Sequence, residues 1–145
     1  MTRPDPPGRR RAREAALQML YQWEVGRLGP DEVVATYWTS RDPDEDVSKE
    51  LRSFANALVT GTIERVSEID GLLSARAHNW RIERMAAIDR LVLRLAVFEL
   101  LSAPETPAKV VINEALELTR TFSSVEAVAF VNGVLDAVRK DVKRD

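Results

Sequence analysis

The densest chemistry in this chain is a run of guanidiniums. Arg9, Arg10, Arg11 and Arg13 fall within five residues at the start of "GRRRAREAALQMLYQWE", Gly8 to Glu24. The arginine fork suits two-point contact with phosphate and can stack on a base. If the segment is helical, Arg9, Arg10 and Arg13 share a face through i, i+3 and i+4 spacing, and Arg11 points elsewhere. The place is electrostatically awkward, because a helix front already carries partial positive charge from unpaired N–H groups. Neither local helix energetics nor core packing asks for cations there. An anion-binding front and a solvated basic tail fit this composition equally.

Other chemistries find less to work with. The chain has no cysteine, which excludes disulfides, thiolate catalysis and thiolate metal sites. His78 is the only histidine, so a zinc site or a Ser-His-Asp triad has almost nothing to draw on. An acid/base pair could be drawn from Glu83, Asp89, Glu99 or Glu114, but on amphipathic helices such residues read better as a solvated face or ion-pair partners. No segment matches a phosphate-binding loop or a dinucleotide fingerprint. The expectation is a protein that is not an enzyme and holds no cofactor and no metal.

Aromatic and internal charged residues need the same weighing. Tyr21, Trp23, Trp38, Trp80 and Phe130 could stack on bases or fill a core. Trp23 lies on the apolar stripe of the first helix and reads as core, while Tyr21 beside it reads as exposed. Phe130 sits one residue before the stripe position Val131, so a surface role fits it as well as a core one. Arg94 and Glu99 interrupt the most apolar segment, "LVLRLAVFELL" (Leu91–Leu101). An unpaired buried charge is expensive, so both should pair with neighbouring helices or face outward. Asp89 and Arg90 open that same segment, where an acid is favourable.

The elements that must position these residues are helical. Ala12, Ala16, Met19, Leu20 and Trp23 follow i, i+4, i+7, i+8 and i+11, and Gly26, Gly29 and Pro30 end the pattern. A short second helix, capped by Asp31, should run to about Trp38, followed by the polar loop Ser40–Asp46. In a long pattern from Leu51 through Val66 to Leu73, Gly61 and Gly71 should weaken the helix, with a bend there, or mark close packing. It lapses at Ala75–Met85. Ile88 to Phe98, Val111 to Phe122 and Val128 to Val138 give the last three helices, the final one capped by Ser123–Ser124. Gly133 reads as a close helix–helix contact, because its flanks are helix-periodic rather than strand-like. The fold class is all-α, with about seven helices in two small subdomains, residues 9–77 and 78–145, behind a flexible arm, residues 1–8.

Charge distribution supports an anionic partner at one end. Residues 1–13 hold five arginines against one acid, whereas the whole chain carries −2. No segment is long and apolar enough to span a membrane, and the N-terminus lacks the apolar core of a secretion signal. The expected location is cytoplasmic.

Four segments taken together resemble the transcription antitermination factor family NusB: "RRRAREAALQMLYQWE" (Arg9–Glu24), "IDRLVLRLAVFELL" (Ile88–Leu101), "PAKVVINEALELTRTF" (Pro107–Phe122) and "FVNGVLDAV" (Phe130–Val138). The resemblance covers the chain from Arg9 to about Val138. It implies two small helical subdomains and a function without catalysis. NusB-like proteins bind boxA, a short single-stranded RNA element of ribosomal RNA operon leaders, together with the ribosomal protein NusE. The pair acts in an RNA polymerase antitermination complex with other Nus factors and supports ribosome assembly. By resemblance, Arg9, Arg10, Arg11, Arg13, Phe130 and Glu126 are RNA-binding positions, and Tyr21, Glu83 and Asp89 face NusE. The stretch "EAVA" (Glu126–Ala129) departs from the polar or basic residues of relatives, which places more of the RNA binding on the arginine front. A second reading is a protein-only adaptor, or homodimer, that engages a ribosomal protein without RNA. A third, an RNA-methyltransferase fusion, needs a cofactor-binding α/β domain that 145 residues do not accommodate.

Overall fold

The computed structural model describes residues 5–40, 45, 47–77 and 82–145, the side chain of Glu83 excepted. Among them are seven α-helices and no strand: α1 (Arg9–Glu24), α2 (Pro30–Thr39), α3 (Lys49–Glu64), α4 (Val66–Arg76), α5 (Ala87–Ser102), α6 (Ala108–Phe122) and α7 (Val125–Asp141), with a 3-10 turn at Ile82–Arg84. His78, Trp80 and most of the Ser40–Asp46 loop lie outside the described residues.

Helix α5 organises the bundle. Every residue from Leu91 to Val97 is buried, Arg94 included. A helix apolar on nearly all sides must be covered all round, and α1, α3, α4, α6 and α7 all pack on it. The buried side chains form one continuous cluster drawn from all seven helices. Helix α1 presents Ala12, Ala15 and Ala16 to this core, none with any exposed surface. Small side chains there let its backbone come close to α3 and α5, while Leu17, Met19 and Leu20 fill the space around them.

Two glycines carry geometric weight. Gly8, just before α1, has φ of 86°, in the left-handed region that favours glycine, and an added Cβ would lie 2.5 Å from Leu51 Cδ1. Gly61 on α3 lies under the Phe98 ring, where a Cβ would sit 2.0 Å from Cζ. The close contact assigned to Gly133 is corrected: Gly133 is exposed, and a methyl placed there would have nothing within 4 Å. The α3–α5 approach takes that role at Gly61 instead.

The long third pattern also differs from expectation. The chain breaks at Arg65 rather than bending at Gly61 or Gly71, and Arg65 takes φ −107° and ψ 18° between α3 and α4. Gly61 stays helical because Phe98 fills the space its missing side chain leaves. The α2 cap differs as well. Gly29, not Asp31, precedes the helix, with Pro30 at its first position. Ser124 caps α7 as expected, its Oγ accepting from the Ala127 N–H at 3.2 Å.

Candidate nucleic-acid interface

The arginines at the front of α1 each find a carboxylate. Arg10 donates from Nε and Nη2 to Glu114 on α6, at 3.1 and 2.8 Å. Arg11 donates from Nε to Glu45 at 2.7 Å and from Nη2 to the Tyr37 hydroxyl at 3.4 Å. Arg9 lies 3.6 Å from Asp5 and stacks its guanidinium over Phe54, 4.2 Å from the ring centroid. Arg13 is held most completely. It donates to Glu99 at 2.9 and 2.5 Å and to Asp5 at 2.6 and 3.3 Å.

Exposure separates the four. The Arg10 side chain is 61% exposed and Arg11 31%, Arg9 is 23% exposed, and Arg13 only 2%. This corrects the reading of Arg13 as an RNA contact. Its guanidinium lies inside the bundle, with its donors directed at two carboxylates. Burial alone would lower the Arg13 pKa, but the hydrogen bonds to Glu99 and Asp5 outweigh it and hold the group protonated. Arg13 is a core cation. The shared face inferred from spacing is nonetheless real, since Arg9 and Arg13 meet at Asp5, and Arg13 Nη1 also lies 3.7 Å from the Glu114 carboxylate that holds Arg10.

Folding therefore changes the charge of this end. The first turn of α1 contains no acid of its own. Asp5, Glu45, Glu99 and Glu114 come in from the preceding arm, the α2–α3 connection, α5 and α6, four carboxylates against four guanidiniums. Sequence reasoning missed Asp5 and Glu45 and treated Glu114 as a generic acid. Only the short Asp5–Arg9 spacing was visible locally; the others join residues far apart in the chain.

The remaining candidates fall on two faces. On α7, Glu126, Ala129 and Asn132 are exposed, and Phe130 is half-buried against the core. On the other side, Leu17, Gln18, Tyr21 and Gln22 of α1, Ile88 of α5 and Phe122 of α6 line an open cleft of about 510 Å³. Tyr21 is 42% exposed at its rim. Asp89 follows Ile88, and its Oδ1 is buried without a hydrogen-bond partner among the described residues. The 3-10 turn places the Glu83 backbone near the start of α5; its side chain lies outside the described residues.

A second ionic centre ties α1, α4 and α5. Arg94 donates to Asp70 at 2.8 and 2.9 Å and to Glu24 at 2.9 Å. Burial would lower its pKa, and the hydrogen bonds to Asp70 and Glu24 reverse that. Arg90 reaches Glu24 and also donates to the carbonyls of Ile82 and Met85. Arg94 and Glu99 both have the interhelical partners that their burial requires. Among the described residues no group of three or more His, Cys, Asp or Glu side chains could hold a metal ion, and no helix is long and apolar enough to cross a membrane.

An all-helical bundle that presents arginines at the front of α1 and a half-buried aromatic on α7 has the make-up of a helical RNA-associated protein. The NusB family model matches residues 10–140, and the chain belongs to that family. It is 48% identical over 134 residues to a transcription antitermination protein NusB of Koribacter versatilis (strain Ellin345), covering 92% of this chain and 90% of the relative. A solved structure of T. maritima NusB superposes with a TM-score of 0.79 at 34% identity, over 97% of this chain and 94% of that one. The structure of antitermination factors NusB and NusE in complex with dsRNA gives 0.81 at 27% identity, over 92% of this chain and 96% of that one.

Proposed function

We propose that this chain is a transcription antitermination factor that acts by binding, without catalysis, in the cytoplasm. It takes single-stranded boxA RNA of ribosomal RNA transcripts together with NusE, and helps RNA polymerase read through terminators with the other Nus factors. The observation that carries this is the surface position of Arg9, Arg10 and Arg11 at one helix front, in a chain of this family. These arginines supply phosphate contact, and Phe130 with Glu126 and Asn132 provides the surface on which bases stack and are read. Phosphate contacts position the RNA and base contacts specify it. The cleft beside Tyr21, with Asp89 next to its lining residue Ile88, takes NusE, and Glu83 is assigned to the same partner by the resemblance.

The test is a titration of a boxA-like RNA and a scrambled RNA, with and without NusE, against wild type and the triple variant R9A/R10A/R11A. Arg13 is left intact because it belongs to the core. Wild type should prefer boxA, most clearly with NusE, and the triple variant should bind more weakly with a flatter salt dependence. Asp89→Lys should weaken NusE binding and leave RNA binding unchanged. A second reading, the protein-only adaptor, is favoured by one observation: every front guanidinium already holds a carboxylate. Equal affinity for boxA and scrambled RNA in the presence of NusE would select it.

A further inference from the structure

We propose that Glu114 and Glu45 attenuate RNA binding. They occupy the phosphate-binding forks of Arg10 and Arg11 and suppress RNA binding that phosphate contact alone would drive. The inference rests on the RNA-binding reading above.

The geometry is asymmetric in a way that matters. The Glu114 side chain is only 12% exposed and is held on α6, whereas Arg10 is 61% exposed. The carboxylate is therefore largely shielded within the bundle, and the arginine is the member that an arriving phosphate can reach. Both oxygens of Glu114 accept from Arg10 in the two-point arrangement a phosphate would use. Glu45 takes the Nε of Arg11 and also pairs with its Nη2, which reaches the Tyr37 hydroxyl as well. A phosphate arriving at either arginine exchanges one anion for another, so the gain is smaller than for a free guanidinium.

Such exchange shifts where affinity comes from. Nonspecific RNA offers only phosphates and must displace the carboxylates for little return. An RNA whose bases also stack and pair on the protein can sustain the displacement. The carboxylates thus lower affinity for every RNA that uses these arginines, and only an RNA with base contacts as well retains tight binding. A buttressing role makes the opposite forecast. If Glu114 and Glu45 hold the arginines in position for RNA, removing them weakens binding.

The experiment compares wild type, Glu114→Gln, Glu45→Gln and the double variant, using the boxA-like and scrambled RNAs. Thermal melts confirm that each variant is folded. The double variant provides a second handle if Glu114→Gln alone perturbs α6. Each single substitution should tighten scrambled-RNA binding roughly two- to fivefold, the scale of an exposed ion pair. BoxA binding should tighten by a similar factor, and the salt slope should steepen by up to about 0.7 per carboxylate removed. Unchanged or weaker scrambled-RNA binding in folded single and double variants overturns the inference while wild-type RNA binding leaves the functional reading standing. If wild type and R9A/R10A/R11A bind RNA equally poorly, the functional reading fails and takes this inference with it.

Discussion

Arg13 and Glu99 close a two-point ion pair inside the bundle, Nε to Oε1 at 2.9 Å and Nη2 to Oε2 at 2.5 Å, with 2% and 3% of their side chains exposed. The pair joins the second turn of α1 to the last turn of α5 across 86 residues of sequence. Asp5 takes the remaining face of the guanidinium and so folds the N-terminal arm back over it. Removing one member of a buried pair strands the other, at about 3–5 kcal/mol. Arg13→Ala and Glu99→Ala should each destabilise by that order in urea unfolding. A double replacement by Met and Leu should recover most of the loss. A single variant within about 1 kcal/mol of wild type would show that water enters and solvates the remaining charge.

This pair also marks what the residues alone could and could not reveal. Helix identity was legible because apolar side chains recur at three- and four-residue intervals throughout. That Arg94 and Glu99 would be either paired or turned outward was legible too, since an apolar helix cannot carry naked charges, and the structure shows them paired. Their partners were not legible, because Asp70, Glu24 and Arg13 are set by tertiary packing. Arg13 was misassigned for the same reason. Spacing placed it with Arg9 and Arg10, and nothing local distinguished a cation at the core boundary from one in solvent. The carboxylates that neutralise the front arrive from four separate elements, so the local excess of positive charge in the sequence does not survive folding.

The two informative glycines should respond in opposite directions to the same change. Gly61→Ala drives a methyl into the Phe98 ring and should destabilise by about 1–3 kcal/mol, the cost of overpacking a core. Phe98→Leu in the same chain should relieve part of it. Gly133→Ala meets open space on an exposed helix surface and should stabilise by about 0.5–1 kcal/mol. Thermal unfolding of both variants decides. A lower melting temperature for Gly133→Ala would mean that α7 does not continue as a regular helix through Asn132.

Acid should loosen the tie between α4 and the end of α7. Arg76 on α4 donates to both oxygens of Asp141, and these hydrogen bonds hold the Asp141 carboxyl below its ordinary value of 3.8. A carboxyl with a lowered folded pKa contributes stability above its unfolded value and loses it as the pH falls through the folded one. The α4–α7 tie is therefore intact at neutral pH and opens only below about pH 3.8. Amide exchange at the last turn of α7 should show protection that declines on acidification through this window. Asp141→Asn should show reduced protection at neutral pH, and the difference from wild type should close as the pH falls through this window. Titration of Asp141 at or above its ordinary value would contradict the tie.

Phe130 and the arginine front should fail in different ways when removed, which separates stacking from charge. Base–aromatic stacking is worth about 1–3 kcal/mol per base and involves no ion release. Loss of Arg–phosphate contacts flattens the log–log salt dependence by about 0.7 per phosphate on a single strand. Phe130 is half-buried against the core, so Phe130→Ala also removes packing. Phe130→Leu keeps most of the apolar volume and lacks the ring, so it isolates the stacking. Phe130→Leu should therefore weaken boxA binding by about ten- to a hundredfold at every salt concentration, with parallel salt plots. The R9A/R10A/R11A variant should weaken it most at low salt, with converging plots. Parallel plots for the arginine variant would mean that its guanidiniums remain on their carboxylates in the complex, and that RNA is held by α7 alone.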